Sequence, residues 1–93
     1  MNPKVLIIDD DVKLNELLTK FLGDFGFSAI SAVLPSKGFK LLEKENPEII
    51  ILDIMLPEMD GFEVCRTIRK SSNIPIIMLT ARGELTDKVV GLE

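Results

Sequence analysis

Three apolar runs in this 93-residue chain end in residues able to do chemistry. Asp9-Asp10-Asp11 follow Val5-Leu6-Ile7-Ile8, Asp53 follows Ile49-Ile50-Ile51-Leu52, and Thr80 follows Ile76-Ile77-Met78-Leu79. Taken singly, each is ordinary: Asp11 is a good helix N-cap, Asp53 a turn residue and Thr80 a strand former. Two runs ending in acids and a third ending in a hydroxyl say more together. Two carboxylates about 5 Å apart repel by roughly 3 kcal/mol at an effective dielectric of about 20. Such a group shares protons or holds a cation. With oxygen donors alone the cation is a hard one, Mg2+ before Ca2+. An EF-hand is excluded because Asp10 and Asp53 do not share one loop. A carboxylate beside Mg2+ can attack phosphorus and become an acyl phosphate, while loop N–H groups and a hydroxyl hold the phosphoryl oxygens.

Composition removes other chemistries. The chain has no His, Trp or Tyr and one Cys. That excludes a Ser-His-Asp triad, His-ligated zinc, a CxxC redox pair and an internal disulfide. A lone Cys with no export signal at Met1-Asn2-Pro3-Lys4 leads us to expect a reducing, cytoplasmic setting. Fifteen acidic and eleven basic residues give a net charge of −4, so no bulk attraction to nucleic acid or to an anionic membrane is expected. No apolar run nears the roughly 20 residues that span a bilayer.

The elements that must position these residues follow from hydrophobic period. Val5 to Ile8 and Ile49 to Leu52 are continuous and mostly β-branched, the mark of strands buried on both faces of a parallel sheet. Leu14, Leu17, Leu18, Phe21, Leu22 and Phe25 form one helical face, capped by Asp11 and stopped by Gly23 or Gly26. Residues 27–33 read as a second strand. Ser36 is expected to cap a second helix carrying Phe39, Leu41 and Leu42, with Asn46-Pro47 as its stop. After a breaker-rich loop, Leu56-Pro57-Glu58-Met59-Asp60-Gly61, a third helix is expected over residues 62–70. Pro75 opens a fourth strand, and Leu85 begins a fourth helix. Cys65 and Met78 read as core and Lys37, Lys40 and Lys44 as a solvated helix face. Alternating strands and helices predict βαβ units, a parallel sheet and helices on both faces. In such sheets ligands bind at the carboxyl ends of the strands, where the acids are.

At this point the sequence resembles the receiver domain of two-component response regulators. The resemblance rests on Ile7-Ile8-Asp9-Asp10-Asp11, on Ile50 to Gly61 with Leu52-Asp53-Ile54-Met55-Leu56-Pro57 at its centre, and on Ile74-Pro75-Ile76-Ile77-Met78-Leu79-Thr80-Ala81. The run Thr80-Ala81-Arg82-Gly83 looks most like OmpR/PhoB-like receivers, which are joined to winged-helix DNA-binding domains. The resemblance implies a flavodoxin-like sheet of order 2-1-3-4 and a signalling function. Asp53 is implied as the phosphoacceptor, served by the phosphohistidine of a sensor histidine kinase. Asp10 and the carbonyl of Met55 are implied as direct Mg2+ ligands alongside Asp53, with Asp9 acting through water. Thr80 is implied as the switch hydroxyl and Ala81 as the small residue that leaves the phosphoryl group room. Pro57 and Gly61 match shape residues of the loop.

One departure is visible. The family carries a fifth strand ending in lysine, then a fifth helix, and the 93 residues stop before either. The expectation is a receiver domain over residues 1–93 that is truncated at its C-terminus, or part of a longer chain. A missing covering helix removes roughly 10 kcal/mol of apolar burial, against a net stability of about 5–15 kcal/mol. Closure of the core by a second copy, through the exposed fourth-strand edge or by strand exchange, is therefore expected. Two alternatives compete with phosphoryl acceptance. One is a switch-dead receiver fragment acting in interaction or structure alone. The other is a haloacid dehalogenase-type phosphatase, suggested by Asp-x-Asp at Asp9 and Asp11. Lys13 stands where that family has Thr, and the immediate helix leaves no room for its insert.

Overall fold

The apolar runs become strands wherever they are too short and too β-branched for a helix, and the amphipathic stretches between them become the crossovers. The structure is a computed structural model and describes residues 2–79. The elements are β1 (Lys4–Ile8), α1 (Val12–Asp24), β2 (Ser28–Ala32), α2 (Pro35–Glu45), β3 (Ile49–Asp53), α3 (Gly61–Arg69) and β4 (Ile76–Leu79). The expected fourth helix lies outside the described residues. The strands form one parallel sheet in the order β2-β1-β3-β4. That is the flavodoxin-like order expected from the sequence. Right-handed crossovers send α2 and α3 to one face, because β2→β3 and β3→β4 run the same way, and α1 to the other.

Register sorts the side chains. Leu6 aligns with Ile30, Ile50 and, through Ile50, Ile76; Ile8 aligns with Leu52 and, through Leu52, Met78. All of these but Ile30, which packs half-buried against them, form the buried layer beneath α2 and α3, completed by Val64, Cys65 and Ile68 of α3. The core roles expected for Cys65 and Met78 hold. α2 lies so close to β1 that a Cβ on Gly38 would stand 2.6 Å from Ile8 Cδ1.

The opposite face is thinner. Leu14, Leu18 and Leu22 of α1 are half-buried against the sheet, where Ile7 is fully buried. Leu17, Phe21 and Phe25, expected on the same apolar face, are 64%, 55% and 67% exposed. Six positions at helical spacing span a wider arc than α1 turns towards the sheet. Phe21 and Phe25 cover each other instead, with ring centroids 4.9 Å apart.

Local signals set the element ends, with two corrections. Asp11 caps α1, its carboxylate accepting from Leu14 N at 3.0 Å. At the other end Gly26, not Gly23, takes the left-handed conformation (φ 88°), and the N–H groups of Gly26 and Phe27 return to the carbonyls of Gly23 and Leu22. This is the Schellman arrangement. Asn46 ends α2 in the left-handed region, as expected. Ser36 does not cap α2. Pro35, with no N–H and a fixed φ, takes the first helical position, so the cap position falls on Leu34, whose side chain offers no bond. The third helix starts at Gly61 rather than Phe62, because the Asp60 carboxylate accepts from Glu63 N at 2.9 Å.

Candidate functional site

Parallel register places Asp9 and Asp53 side by side. Ile8 pairs with Leu52, so the next residue on each strand is an acid at the carboxyl rim of the sheet. Asp9, Asp10 and Asp53 each present a carboxylate oxygen within 4.8 Å of the others. Asp9 and Asp53 are both only 5% exposed, whereas Asp10 faces solvent. Among the described residues the one ion pair, Lys4–Glu45 at 3.0 Å, lies at the opposite end of the strands. No described cation answers the cluster's charge. Burial, reinforced by the charges of Asp53, Asp10 and Asp11, pushes the Asp9 carboxyl up to about 6, against a bond from Asp11 N that favours its ionised form. Burial also raises Asp53, aided by Asp10 and opposed by the N–H groups of Met55 and Ile54.

Both loops that carry the acids are pinned. Asp9 N donates to Ala32 O at 3.0 Å, and Asp9 Oδ1 accepts from Asp11 N at 2.9 Å. After Asp53, Ile54 N donates to Leu79 O, and Gly61 N donates to Ile54 O at 2.7 Å. A Cβ on Gly61 would overlap the Asp53 carbonyl oxygen, so a side chain at the start of α3 would displace the acid's own backbone. Met55 is 66% exposed, and its N–H approaches Asp53 Oδ1 at 3.4 Å. Glu58 has a positive φ of 70° and is flanked by a Met59 N to Pro57 O bond of 2.8 Å. That is a tight, strained turn for a non-glycine residue. Its carboxylate accepts from Ser36 N at 3.0 Å and from Ser36 Oγ at 3.2 Å. The acid-bearing loop thus supplies the cap that α2 lacks.

Of the residues singled out from sequence, Asp9, Asp10 and Asp53 converge and Met55 lies next to them on the same loop. Thr80 and Ala81 lie outside the described residues. Sequence reading missed two features. Ser36 with Glu58 is a long-range link between the first turn of α2 and the loop after β3, and leaves no local signal. Asn15 is 3% exposed and donates Nδ2–H to Asp9 O at 2.8 Å. It shares a helical stripe with Leu18 and Leu22, and a polar residue on an inward stripe was the available signal.

A rim of converging oxygen donors, at the carboxyl ends of a doubly wound parallel sheet, defines a flavodoxin-like α/β domain with an acidic pocket. The response regulator receiver domain profile matches residues 5–93, and the chain belongs to that family. A probable transcriptional regulator, ycf27, of Guillardia theta is 43% identical over 90 residues, covering 97% of this chain and 35% of its own length. The ycf27 of Cyanophora paradoxa is 38% identical over 97% of this chain and 38% of its own. The chain thus spans little more than a third of these curated relatives. Among solved structures, a putative response regulator from Chloroflexus aurantiacus superposes with a TM-score of 0.84 at 31% identity, covering 98% of this chain and 77% of that one. The BeF3-activated receiver domain of Klebsiella pneumoniae RstA gives 0.81 at 28%, covering 90% and 70%. Similarity to ycf27 and to RstA fits the OmpR/PhoB-like branch expected from sequence. No helix among the described residues is long and apolar enough to cross a membrane.

Proposed function

We propose that this chain accepts a phosphoryl group on Asp53 from the phosphohistidine of a sensor histidine kinase, with Mg2+ as cofactor. The observation that carries the reading is the convergence of Asp9, Asp10 and Asp53 within 4.8 Å, two of them buried. Carboxylates crowded in this way, with no described cation among them, fit a hard divalent ion. Asp9, Asp10, Asp53 and the carbonyl of Met55 are the groups that would hold it. When bound, Mg2+ supplies positive charge that offsets the phosphoryl oxygens.

The chain's own part is that of a nucleophile held in place. An Asp53 carboxylate oxygen bonds to phosphorus as the P–N bond of the donor breaks, and the electron pair leaves with the imidazole. Gly61 lets α3 start against the Asp53 backbone, and the Ile54 bonds to Leu79 and Gly61 keep that backbone still. Thr80 and Ala81 belong to the same proposal, as the hydroxyl that meets the phosphoryl group and the small neighbour that admits it. So do a DNA-binding output domain, like that of a transcriptional regulator, and a cytoplasmic setting. Self-association, through the edge of β4 or by strand exchange, is part of the same proposal.

Incubation with acetyl phosphate and Mg2+ should add about 80 Da to the intact mass, the weight of one phosphoryl group. Asp53→Asn should abolish the gain. A gain retained in that variant would remove Asp53 from the role.

A further inference from the structure

Asn15 is the buried residue of α1, and its side chain faces the acid-bearing loop rather than the apolar layer. Its Nδ2–H bond to Asp9 O is short, at 2.8 Å, while its Oδ1 is buried and accepts no hydrogen bond. A leucine would suit an inward helix position better, both in propensity and in burial. What the amide does there is hold one carbonyl.

That carbonyl matters because of peptide planarity. The Asp9 C=O and the Asp10 N–H belong to one rigid plane. Fixing the oxygen fixes that plane, and with it the direction in which the Asp10 backbone leaves the strand. Asp9 N is already tied to Ala32 O, and Asp11 N to Asp9 Oδ1. Asn15 N also donates to Asp11 O at 3.0 Å. Residues 9–11 are therefore gripped from β2, from Asp9 itself and from Asn15. Asn15 is the grip that decides how the peptide between the buried acid and the exposed acid is turned.

We infer that Asn15 is a positioning residue for divalent-cation binding, aiming the Asp9 and Asp10 carboxylates by clamping the peptide between them. The inference rests on the cation-dependent phosphoacceptor reading above. Without the clamp, the acids remain but their oxygens scatter over more orientations, and a cation that demands near-octahedral geometry suffers most.

The test uses the 93-residue chain, 15N-labelled and titrated with MgCl2, with binding followed at the amides of Asp10 and Asp53. Acetyl phosphate labelling is measured over the same Mg2+ range. Asn15→Leu should raise the Mg2+ concentration for half-saturation about tenfold or more. Labelling rate at saturating Mg2+ should fall less than threefold, and the urea midpoint in EDTA should not fall. A merely structural role would lower that midpoint and leave the half-saturation point unmoved. If Asn15→Leu does not fold, Asn15→Ser removes the reach of the donor without added bulk, and the same shift is expected. A folded variant of either kind that binds Mg2+ within twofold of the parent overturns the inference. A parent chain that binds no Mg2+ overturns the underlying site reading instead, and the clamp with it.

Discussion

Leu52 and Asp53 are adjacent on β3 and both are buried, at 0% and 5% exposure, yet burial acts on them in opposite directions. Leu52 enters a layer of Ile8, Met78 and Val64, where leaving water is favourable and every contact adds to stability. Asp53 meets Asp9 and Asp10, where leaving water disfavours the charge that the proposed chemistry needs. One residue step along the strand separates the part of the molecule that holds the fold together from the part that is held together by it. Substitutions in the layer should therefore destabilise, and those at the rim should stabilise.

The largest effect belongs to the layer. Leu52→Ala should lower stability by about 2–5 kcal/mol, the range for deleting a fully buried leucine side chain, read as a drop in the urea midpoint. A loss below about 1 kcal/mol would mean that the layer is loosely packed and that the contrast with the rim is overdrawn.

The rim should move the other way. Asp9 has a folded-state pKa raised to about 6 from an ordinary value of 3.8. The protonated form therefore favours folding: its contribution is fully present below about 4 and is lost as pH rises through about 6. In EDTA, lowering the pH from 7.5 to 5 should stabilise the chain by about 1 kcal/mol on this account. Asp9→Asn should stabilise it at pH 7.5 by on the order of 2 kcal/mol and remove most of that pH response. Added Mg2+ should stabilise the parent at pH 7.5 by mass action and should do much less for Asp9→Asn. Thermal melts at the two pH values, with EDTA and with Mg2+, contain all of these comparisons. A parent chain destabilised on going from pH 7.5 to 5 in EDTA would count against strained acids at the rim.

The smallest effect is expected on α1. Phe21 is 55% exposed, so Phe21→Ser in dilute solution should change stability by no more than about 0.5 kcal/mol. A loss above about 2 kcal/mol, with a fall in mass by light scattering, would show that a second copy covers the stripe. The thin face would then be as well sealed as the layer under α2 and α3.

Much of this was readable in the sequence. The runs at Val5 to Ile8 and Ile49 to Leu52, and the alternation of strand and helix, specified a parallel sheet because short continuous apolar segments have few other ways to bury both faces. The acids declared themselves by standing at the ends of those runs. The rest was hidden for physical reasons. Periodicity tells which α1 residues share a side but not how much of that side a neighbour covers, so Leu14 and Leu17 look equivalent until the sheet is in place. Pro35 outcompeted Ser36 for control of the α2 start because a ring constraint acts on the backbone directly. Ser36 of α2 meets Glu58 of the loop after β3 across 22 residues, and Asn15 reaches Asp9 only once the turn at residues 9–11 has set the direction of α1.

The pairing of Ile8 with Leu52 has a consequence for how such a chain can diverge. One residue inserted in or deleted from β1 or β3 would turn an acid to the opposite face and separate the pair, whereas one added to residues 70–74, at the far end of the strands, would leave the rim untouched. Tolerance of length change should thus be polar along the molecule: frozen in the two strands whose register aligns the acids, and permissive where the chain turns at their opposite end.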